Sequence, residues 1–165
     1  MTETTVYIAF QSKRHMDVKA LSDLTGVEPT TVWKKGDPIV YNGHPTLIVN
    51  DKGEQAPKTY SFSSFEFALP IYRGLNVDRL FNKLMRVIQH PKEVGEYCRN
   101  HGIRVHLMVV VYGITDTYSI PSMFYTNKFV DFLSLLGATI DHDLYSEPWQ
   151  MGEDYDKEWG IKILK

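Results

Sequence analysis

Apolar positions near the start of the chain first alternate with polar ones and then recur at helical spacing. In "TVYIAFQ", Val6, Ile8 and Phe10 fall on one side of an extended segment, which predicts a first strand. In residues 17–26 the apolar positions have helical spacing, between an aspartate suited to an N-cap and a terminal glycine. The pattern therefore predicts a strand followed by a short helix.

The same criteria predict further elements along the chain. After Asn76, a suitable N-cap, the stretch "VDRLFNKLMRVI" has a strong amphipathic stripe and forms a second helix. A third helix opens at Pro91 and ends at Gly102, and "NKFVDFLSLLG", with Gly137 as its terminator, forms a fourth. "IRVHLMVVVYG" is typical of a central strand, and "ATIDHDLY" of the strand that closes the sheet. Residues 27–58 are interpreted as a long ordered loop carrying one short strand, "TLIVN". The alternation changes phase between residues 60 and 69, which predicts a β-bulge or a bend near Ser63 and Ser64.

This order of elements predicts an α+β fold with a mostly antiparallel sheet and helices packed mainly on one face. Residues 57–146 follow the ferredoxin-like, split βαβ order, preceded by another βα unit and the loop. Without repeats or a low-complexity linker, the chain is expected to form one domain over residues 1–165, with 146–165 as an acidic aromatic C-terminal extension.

Composition narrows the class of protein. The 165 residues are 43% hydrophobic and 23% charged, which is ordinary for a soluble globular domain. No apolar run approaches the roughly 20 residues that cross a bilayer, and the N-terminus lacks the pattern of a signal peptide, so we expect a cytoplasmic protein with no membrane partner. Cys98 is the sole cysteine, which excludes a disulfide within the chain.

A formal net charge of -2 conceals an acidic C-terminal segment. Residues 141–158 hold seven acidic residues against one lysine, a local charge of about -6, and aromatic residues lie among them. Clustered carboxylates and aromatic rings suit capture of a basic protein partner. The alternative is that the rings pack on the sheet while the acids keep the segment soluble. The predicted partner-binding residues are Asp141, Asp143, Glu147, Trp149, Glu153, Asp154, Tyr155, Asp156, Glu158 and Trp159.

The cluster Asp141, His142, Asp143 invites a metal or acid–base interpretation, but alternation along a strand separates it. Both aspartates point to one side and His142 to the other, with Ile140 and Leu144. We expect a hydrogen-bonded histidine on the apolar face of the sheet and two solvated aspartates. The other histidines are scattered, and no motif pairs a nucleophile with a base. We therefore predict no catalytic residue, no metal site and no cofactor.

The stretch "VEPTTVWKKGD" places a tryptophan beside two lysines and a glycine. Pro29 ends the preceding helix and Gly36 permits a tight turn, so Trp33 can fold over the end of the sheet. It is then either a loop anchor or one wall of a pocket formed with Lys35, His44, Tyr60 and Phe62. Two lysines are a weak electrostatic footprint, so nucleic acid is not an expected partner.

Two motifs carry a resemblance to a known family. The stretch "LTGVEPTTVWKKGD" resembles the patterns L-x-G-[IV]-x-P-[ST] and W-x-K-G-[DE], and the later stretch "LGATIDHDLY" resembles L-G-x-x-[IL]-x-x-D-[IL]-Y. These patterns belong to an uncharacterised family of small bacterial domains. The resemblance covers residues 5–146, with Phe65 where that family often has tryptophan. It implies fold and origin and brings no catalytic residues with it. By analogy, some domains of this sort are similar to immunity proteins that neutralise a toxin.

Three hypotheses follow for function. The leading one is a non-enzymatic, immunity-type inhibitor that blocks a basic toxin domain, such as a nuclease, through the acidic aromatic surface. The alternative is a small enzyme or ligand-binding domain with a pocket between the Trp33 loop and the sheet. The third is a homodimer joined through exposed strand edges.

Overall fold

The computed structural model describes residues 2–41, 43–49, 52–74, 76–114 and 123–146. Helices and strands alternate irregularly along the chain. Their bounds, in chain order, are β1 Glu3–Ser12, α1 Val18–Thr25, β2 Thr31–Trp33, β3 Val40–Tyr41, β4 His44–Pro45, β5 Leu47–Val49, β6 Gln55–Pro57, β7 Ser63–Ala68, β8 Tyr72–Arg73, α2 Val77–Val87, α3 Pro91–His101, β9 Arg104–Tyr112, α4 Asn127–Leu136 and β10 Ala138–Leu144.

The main sheet is built around β1, and its strand order is β10-β9-β1-β7-β2, with β8 pairing the first residues of β1. β1 pairs antiparallel with both β9 and β7, and β10 is parallel to β9. The α+β class with a mostly antiparallel sheet is confirmed. The ferredoxin-like order is not confirmed, because β1, which lies outside residues 57–146, separates β7 from β9.

The helices cover one face of this sheet because alternate strand residues are apolar. Val6, Ile8 and Phe10 are fully buried and belong to one core cluster with the apolar stripes of all four described helices. Phe65 lies opposite Phe10, and its ring meets that of Phe10 edge to face. The intervening residues point to the other side, which we call the helix-free face because none of the described helices lies on it. Across β7, β1, β9 and β10 this face carries Glu66, Tyr7, Met108, Asp141 and Asp143.

The helix ends follow the predicted capping residues. The side chain of Asp17 accepts a hydrogen bond from the N–H of Ala20, and that of Asn76 accepts one from the N–H of Arg79. Gly137 ends α4 in the left-handed conformation, which residues with a side chain rarely adopt. Pro91 opens α3 and Gly102 ends it in the left-handed conformation, as predicted. Local signals therefore define all four described helices before any packing is considered.

Residues 27–58 contain more structure than the predicted loop with one short strand. β2 joins the main sheet beside β7, with Val32 opposite Phe65. Residues 38–59 form an arm of two small hairpins, β3–β4 and β5–β6. β5 matches the predicted "TLIVN" strand, but all three of its residues are exposed. Strands of two or three residues are too short to produce a recognisable alternation, so the sequence does not reveal them.

Of the β-bulge or bend predicted near Ser63 and Ser64, the structure shows the bend, because the backbone bends at residues 61–62 before the strand begins. Pairing between β1 and β7 runs without interruption from Ser12 opposite Ser63 to Tyr7 opposite Ala68. The phase of the alternation changes because Tyr60 and Phe62 precede the strand, which begins at Ser63. Among the residues that the structure describes, no helix is long and apolar enough to span a membrane.

Candidate functional site

A pocket of about 270 Å³ lies at the end of the sheet, where β1 passes into α1 and β2 passes into the Trp33 loop, residues 33–37. One side is the β1–α1 turn, residues 13–17, and the other is the Trp33 loop. The lining residues are Lys13, Arg14, His15, Met16, Val18, Trp33, Lys34, Lys35 and Ser63.

Two serines hold both sides of the pocket in place. Ser12 ends β1 and lies opposite Ser63 at the start of β7, and both are buried. The Arg14 N–H donates to Ser12 Oγ at 3.1 Å, and the Lys35 N–H donates to Ser63 Oγ at 3.0 Å. Because the serines belong to neighbouring paired strands, the β1–α1 turn and the Trp33 loop are fixed relative to each other.

The Trp33 loop is a tight turn bonded at several points. The Lys34 N–H donates to Asp37 Oδ2 at 2.7 Å, and the Asp37 N–H donates to the Lys34 carbonyl at 3.0 Å. The Gly36 N–H donates to the Tyr60 carbonyl, and the φ of Gly36 is +94°, a conformation that glycine tolerates best. These bonds direct Lys34 and Lys35 to the pocket while their side chains remain exposed.

Trp33 supplies carbon surface to the pocket. Its ring stacks on Tyr60 with centroids 4.6 Å apart and an interplanar angle of 21°, and Phe62 contacts it at a tilt. The indole Nε1 is buried and bonds to no acceptor among the described residues. An N–H that is sealed from solvent does not face the pocket, so the part of Trp33 that lines it is apolar.

The charge of the lining is uniformly positive. Lys13, Arg14, Lys34 and Lys35 are exposed, and the residues that line the pocket include no aspartate or glutamate. Within the described residues, no carboxylate forms an ion pair with any of the four. The floor is apolar, since Met16 is only 7% exposed and Val18 is half-buried. The arrangement can therefore receive an anionic group at the rim and an apolar group below it.

The structure brings together part of the pocket that the sequence predicts. Trp33 and Lys35 line it, and Tyr60 and Phe62 support Trp33 from behind. His44 lies in β4 on the arm, is exposed and is not a lining residue. Lys13, Arg14 and His15 also line the pocket but were not among the predicted pocket residues. The sequence signal for them is the basic run "KRH", which follows the first predicted strand.

A second charged region lies on the helix-free face. Asp141 is exposed and stands opposite Met108, and Asp143 is half-buried opposite Val110. Glu66, two strands beyond Met108, is half-buried, and burial raises its pKa to about 7 although a hydrogen bond from Ser64 opposes the shift. Carboxylates thus lie on both sides of the centre of this face.

Tyr7 occupies that centre. Burial, followed by the negative charges of Glu66 and Asp143, raises the pKa of its phenol to about 12. The phenol therefore stays neutral over the physiological range and can donate a hydrogen bond. Beside it, the rings of Tyr112 and Tyr145 stack with centroids 5.1 Å apart.

The cluster at Asp141, His142 and Asp143 is divided as predicted. His142 points toward the helices, where its Nε2 is hydrogen-bonded to the hydroxyl of Tyr125. Asp141 Oδ1 accepts the backbone N–H of His142 at 2.8 Å. Among the described residues no group of three or more histidine, cysteine, aspartate or glutamate side chains could hold a metal ion.

The remaining predicted partner-binding residues lie outside the part of the chain that the structure describes. They are Glu147, Trp149, Glu153, Asp154, Tyr155, Asp156, Glu158 and Trp159.

Comparison with known proteins gives a family. Residues 2–147 match the family described as Domain of unknown function (DUF4279), and the chain therefore belongs to it. The resemblance to a family of unknown function is confirmed. No curated protein and no solved structure matches the chain.

Proposed function

We propose that this member of the DUF4279 family is a ligand-binding domain whose site is the pocket between the β1–α1 turn and the Trp33 loop. The observation that carries the proposal is the pocket of about 270 Å³, in which charged side chains surround an apolar floor of Met16, Val18 and Trp33. Binding sites for small molecules are concave and largely apolar, with a few polar groups that orient the ligand.

Binding without catalysis suits the chemistry of this lining. General acid–base or nucleophilic catalysis pairs a nucleophile with a nearby base. His15 lines the pocket and could act as a base, but the lining includes no carboxylate and no cysteine. The hydroxyl of Ser63 is buried and accepts the N–H of Lys35, so it is not placed as a nucleophile for His15. Cys98 is buried in the core, where burial raises the pKa of its thiol to about 12.

The test is a nuclear magnetic resonance titration of the ¹⁵N-labelled full chain with a library of small fragments. We expect binding fragments to shift the amide signals of residues 13–18 and 33–35. Val18→Trp fills the pocket and should abolish these shifts. Val130→Trp, which changes an exposed valine on α4, is the matched control and should preserve them. Shifts that map elsewhere, or that survive in Val18→Trp, would contradict the proposal.

A second candidate function is binding of a basic protein, in the manner of an immunity-type inhibitor that occludes a toxin domain. The observation that favours it is the position of Asp141, Asp143 and Glu66 on one face that no described helix covers. Carboxylates grouped on one face increase the rate of encounter with a basic partner.

This candidate is tested with the protein encoded beside this chain in its genome, provided that protein carries a basic domain. We expect Asp141→Lys with Asp143→Lys to slow association at low salt. Asp78→Lys on α2 is an exposed control on the opposite side of the sheet. Replacing Asp154, Asp156 and Glu158 with lysine tests the C-terminal extension in the same assay. Association that none of these changes affects would exclude the acidic surface.

A further inference from the structure

We infer that the pocket selects anions, and that its ligand is a small molecule in which a phosphate or carboxylate group is attached to a flat, apolar ring. The inference rests on the proposed function, because it assigns a ligand class to the same pocket. Four observations support it: the charge of the rim, its fixed geometry, the aromatic surface and the volume.

The rim concentrates positive charge on a chain that is acidic overall. Lys13, Arg14, Lys34 and Lys35 come from two separate segments and meet at one pocket, whereas the whole chain has a formal charge of -2. A concave site lined by one sign of charge focuses the electrostatic potential and attracts the opposite charge. Asp17 and Asp37 end the two segments, but neither lines the pocket, and within the described residues no ion pair neutralises the four basic groups.

The basic groups are attached to a backbone that is already ordered. The backbone N–H of Arg14 and the backbone N–H of Lys35 each donate a hydrogen bond to a buried serine. These two serines are cross-strand partners. A guanidinium group can contact two oxygens of a phosphate or carboxylate at once, and an ammonium group contributes a point charge. Because the backbone is held in place, binding an anion requires ordering of side chains alone, which lowers the entropic cost.

The apolar half of the pocket suits a ring. Tyr60 covers one face of the Trp33 indole, and the remaining carbon surface of Trp33 borders the pocket together with Met16 and Val18. Stacking on an aromatic side chain favours flat ligands, as it does for the bases of single-stranded nucleic acids. The ligand class therefore combines one anionic group with one flat group.

The volume limits the size of the ligand. About 270 Å³ lies just below the range of roughly 300–1,000 Å³ that is typical of drug-sized ligands. The pocket therefore suits a molecule with one ring and one anionic group. A single-stranded nucleic acid offers the same chemistry repeated along a polymer, and the experiment below separates it from a small molecule.

The test uses probes in matched pairs that differ only in the anionic group: phenyl phosphate against phenol, and benzoate against benzyl alcohol. Adenosine 5′-monophosphate is the monomeric reference for a single-stranded nucleic acid. Binding to the labelled full chain is followed through the amides of residues 13–18 and 33–35. We expect each anion to bind at least tenfold more tightly than its neutral counterpart. Raising sodium chloride from about 50 to about 300 mM should weaken the anions several-fold, because salt screens exposed charges, and should leave the neutral probes unchanged.

Lys13→Gln with Lys34→Gln removes two rim charges and should weaken the anions by about tenfold, since each exposed contact with a charge contributes up to about 1 kcal/mol. Lys83→Gln with Lys92→Gln removes two exposed lysines from α2 and α3 and is the control that should change nothing. All four positions are exposed, so both variants should keep the wild-type spectrum elsewhere.

The outcomes are distinct. If neutral and anionic probes shift the pocket amides equally, and the double variant binds both as wild type does, the inference of anion selection is wrong while the proposed function stands. If no probe shifts these amides, both are wrong. If a ten-nucleotide single-stranded DNA binds far more tightly than adenosine 5′-monophosphate at the same amides, the ligand is a polymer and the assignment to a small molecule is overturned.

Discussion

Glu66→Gln should stabilise the protein at alkaline pH and leave its stability almost unchanged at acidic pH. Burial on the helix-free face raises the pKa of Glu66 from its ordinary value of 4.5 to about 7. Between these two values the folded protein holds a proton that the unfolded chain releases, so the free energy of unfolding falls as pH rises. Glutamine is neutral at every pH, has nearly the same shape and can still accept a hydrogen bond from Ser64.

The magnitude follows from the shift in pKa. The rise in pKa from 4.5 to about 7 corresponds to an upper limit of about 3 kcal/mol. Glu66 is half-buried, so water screens part of this penalty, and we discount it to about 1–2 kcal/mol. With a urea dependence of about 2 kcal/mol per M, the middle of the usual range for small domains, the midpoint of unfolding should differ by about 0.5–1 M.

The assay is urea unfolding of wild type and Glu66→Gln, followed by circular dichroism from pH 4.5 to 8.5. The two midpoints should coincide near pH 4.5 and separate through pH 7, with the variant more stable above it. The other carboxylates near this face, Asp141 and Asp143, are present in both proteins, so the difference between the two curves isolates Glu66. A difference that stays constant across this range would refute the assignment of a buried, proton-holding carboxyl group.

Three further predictions concern the helical layer. Gly95→Ala should lower the midpoint of thermal unfolding by about 4–8 °C, because the new Cβ would lie 2.0 Å from the Leu135 carbonyl oxygen. The steric cost of about 2 kcal/mol outweighs the gain in helix propensity. An equal or higher midpoint would exclude this close contact between α3 and α4. Asp17→Ala should lower the free energy of unfolding by about 1 kcal/mol through loss of the cap on Ala20, whereas Asp17→Asn should retain most of the stability. Cys98 should react with a thiol reagent in urea but not in the native protein, because it is 1% exposed and burial raises the pKa of its thiol. Rapid labelling of the native protein would contradict this burial.

The helices could be predicted because their signals are local. The N-caps at Asp17 and Asn76 and the glycine at position 137 lie within one turn of the residues they affect. The burial of Val6, Ile8 and Phe10 follows equally from neighbouring residues. Propensity, capping and periodicity act over a few residues, so one sequence is sufficient to place these elements.

The strand order and the pocket could not be predicted in the same way because they depend on distant pairings. β1 lies between β7 and β9, and the predicted ferredoxin-like order took no account of a strand from outside residues 57–146. Arg14 and Lys35 meet at one pocket because Ser12 lies opposite Ser63, 51 positions away in the chain. Trp33 and Lys35 were predicted because an aromatic residue beside a basic turn is visible locally, whereas their partners from the β1–α1 turn are not.

The two charged regions lie far enough apart for each proposal to be tested independently of the other. The pocket lies beyond the end of β1, where Lys13 follows the strand, whereas Asp141 and Asp143 are level with Tyr7 and Thr5 of β1. Six to eight residues at about 3.3 Å each separate the regions by roughly 20–26 Å along the strand, more than twice the screening length of about 8 Å at physiological salt. Asp141→Lys with Asp143→Lys should therefore leave anion binding unchanged, and Lys13→Gln with Lys34→Gln should leave association with a basic partner unchanged. If either pair of substitutions altered both activities at physiological salt, a structural link between the regions would be required, because direct electrostatic coupling over that distance is too weak.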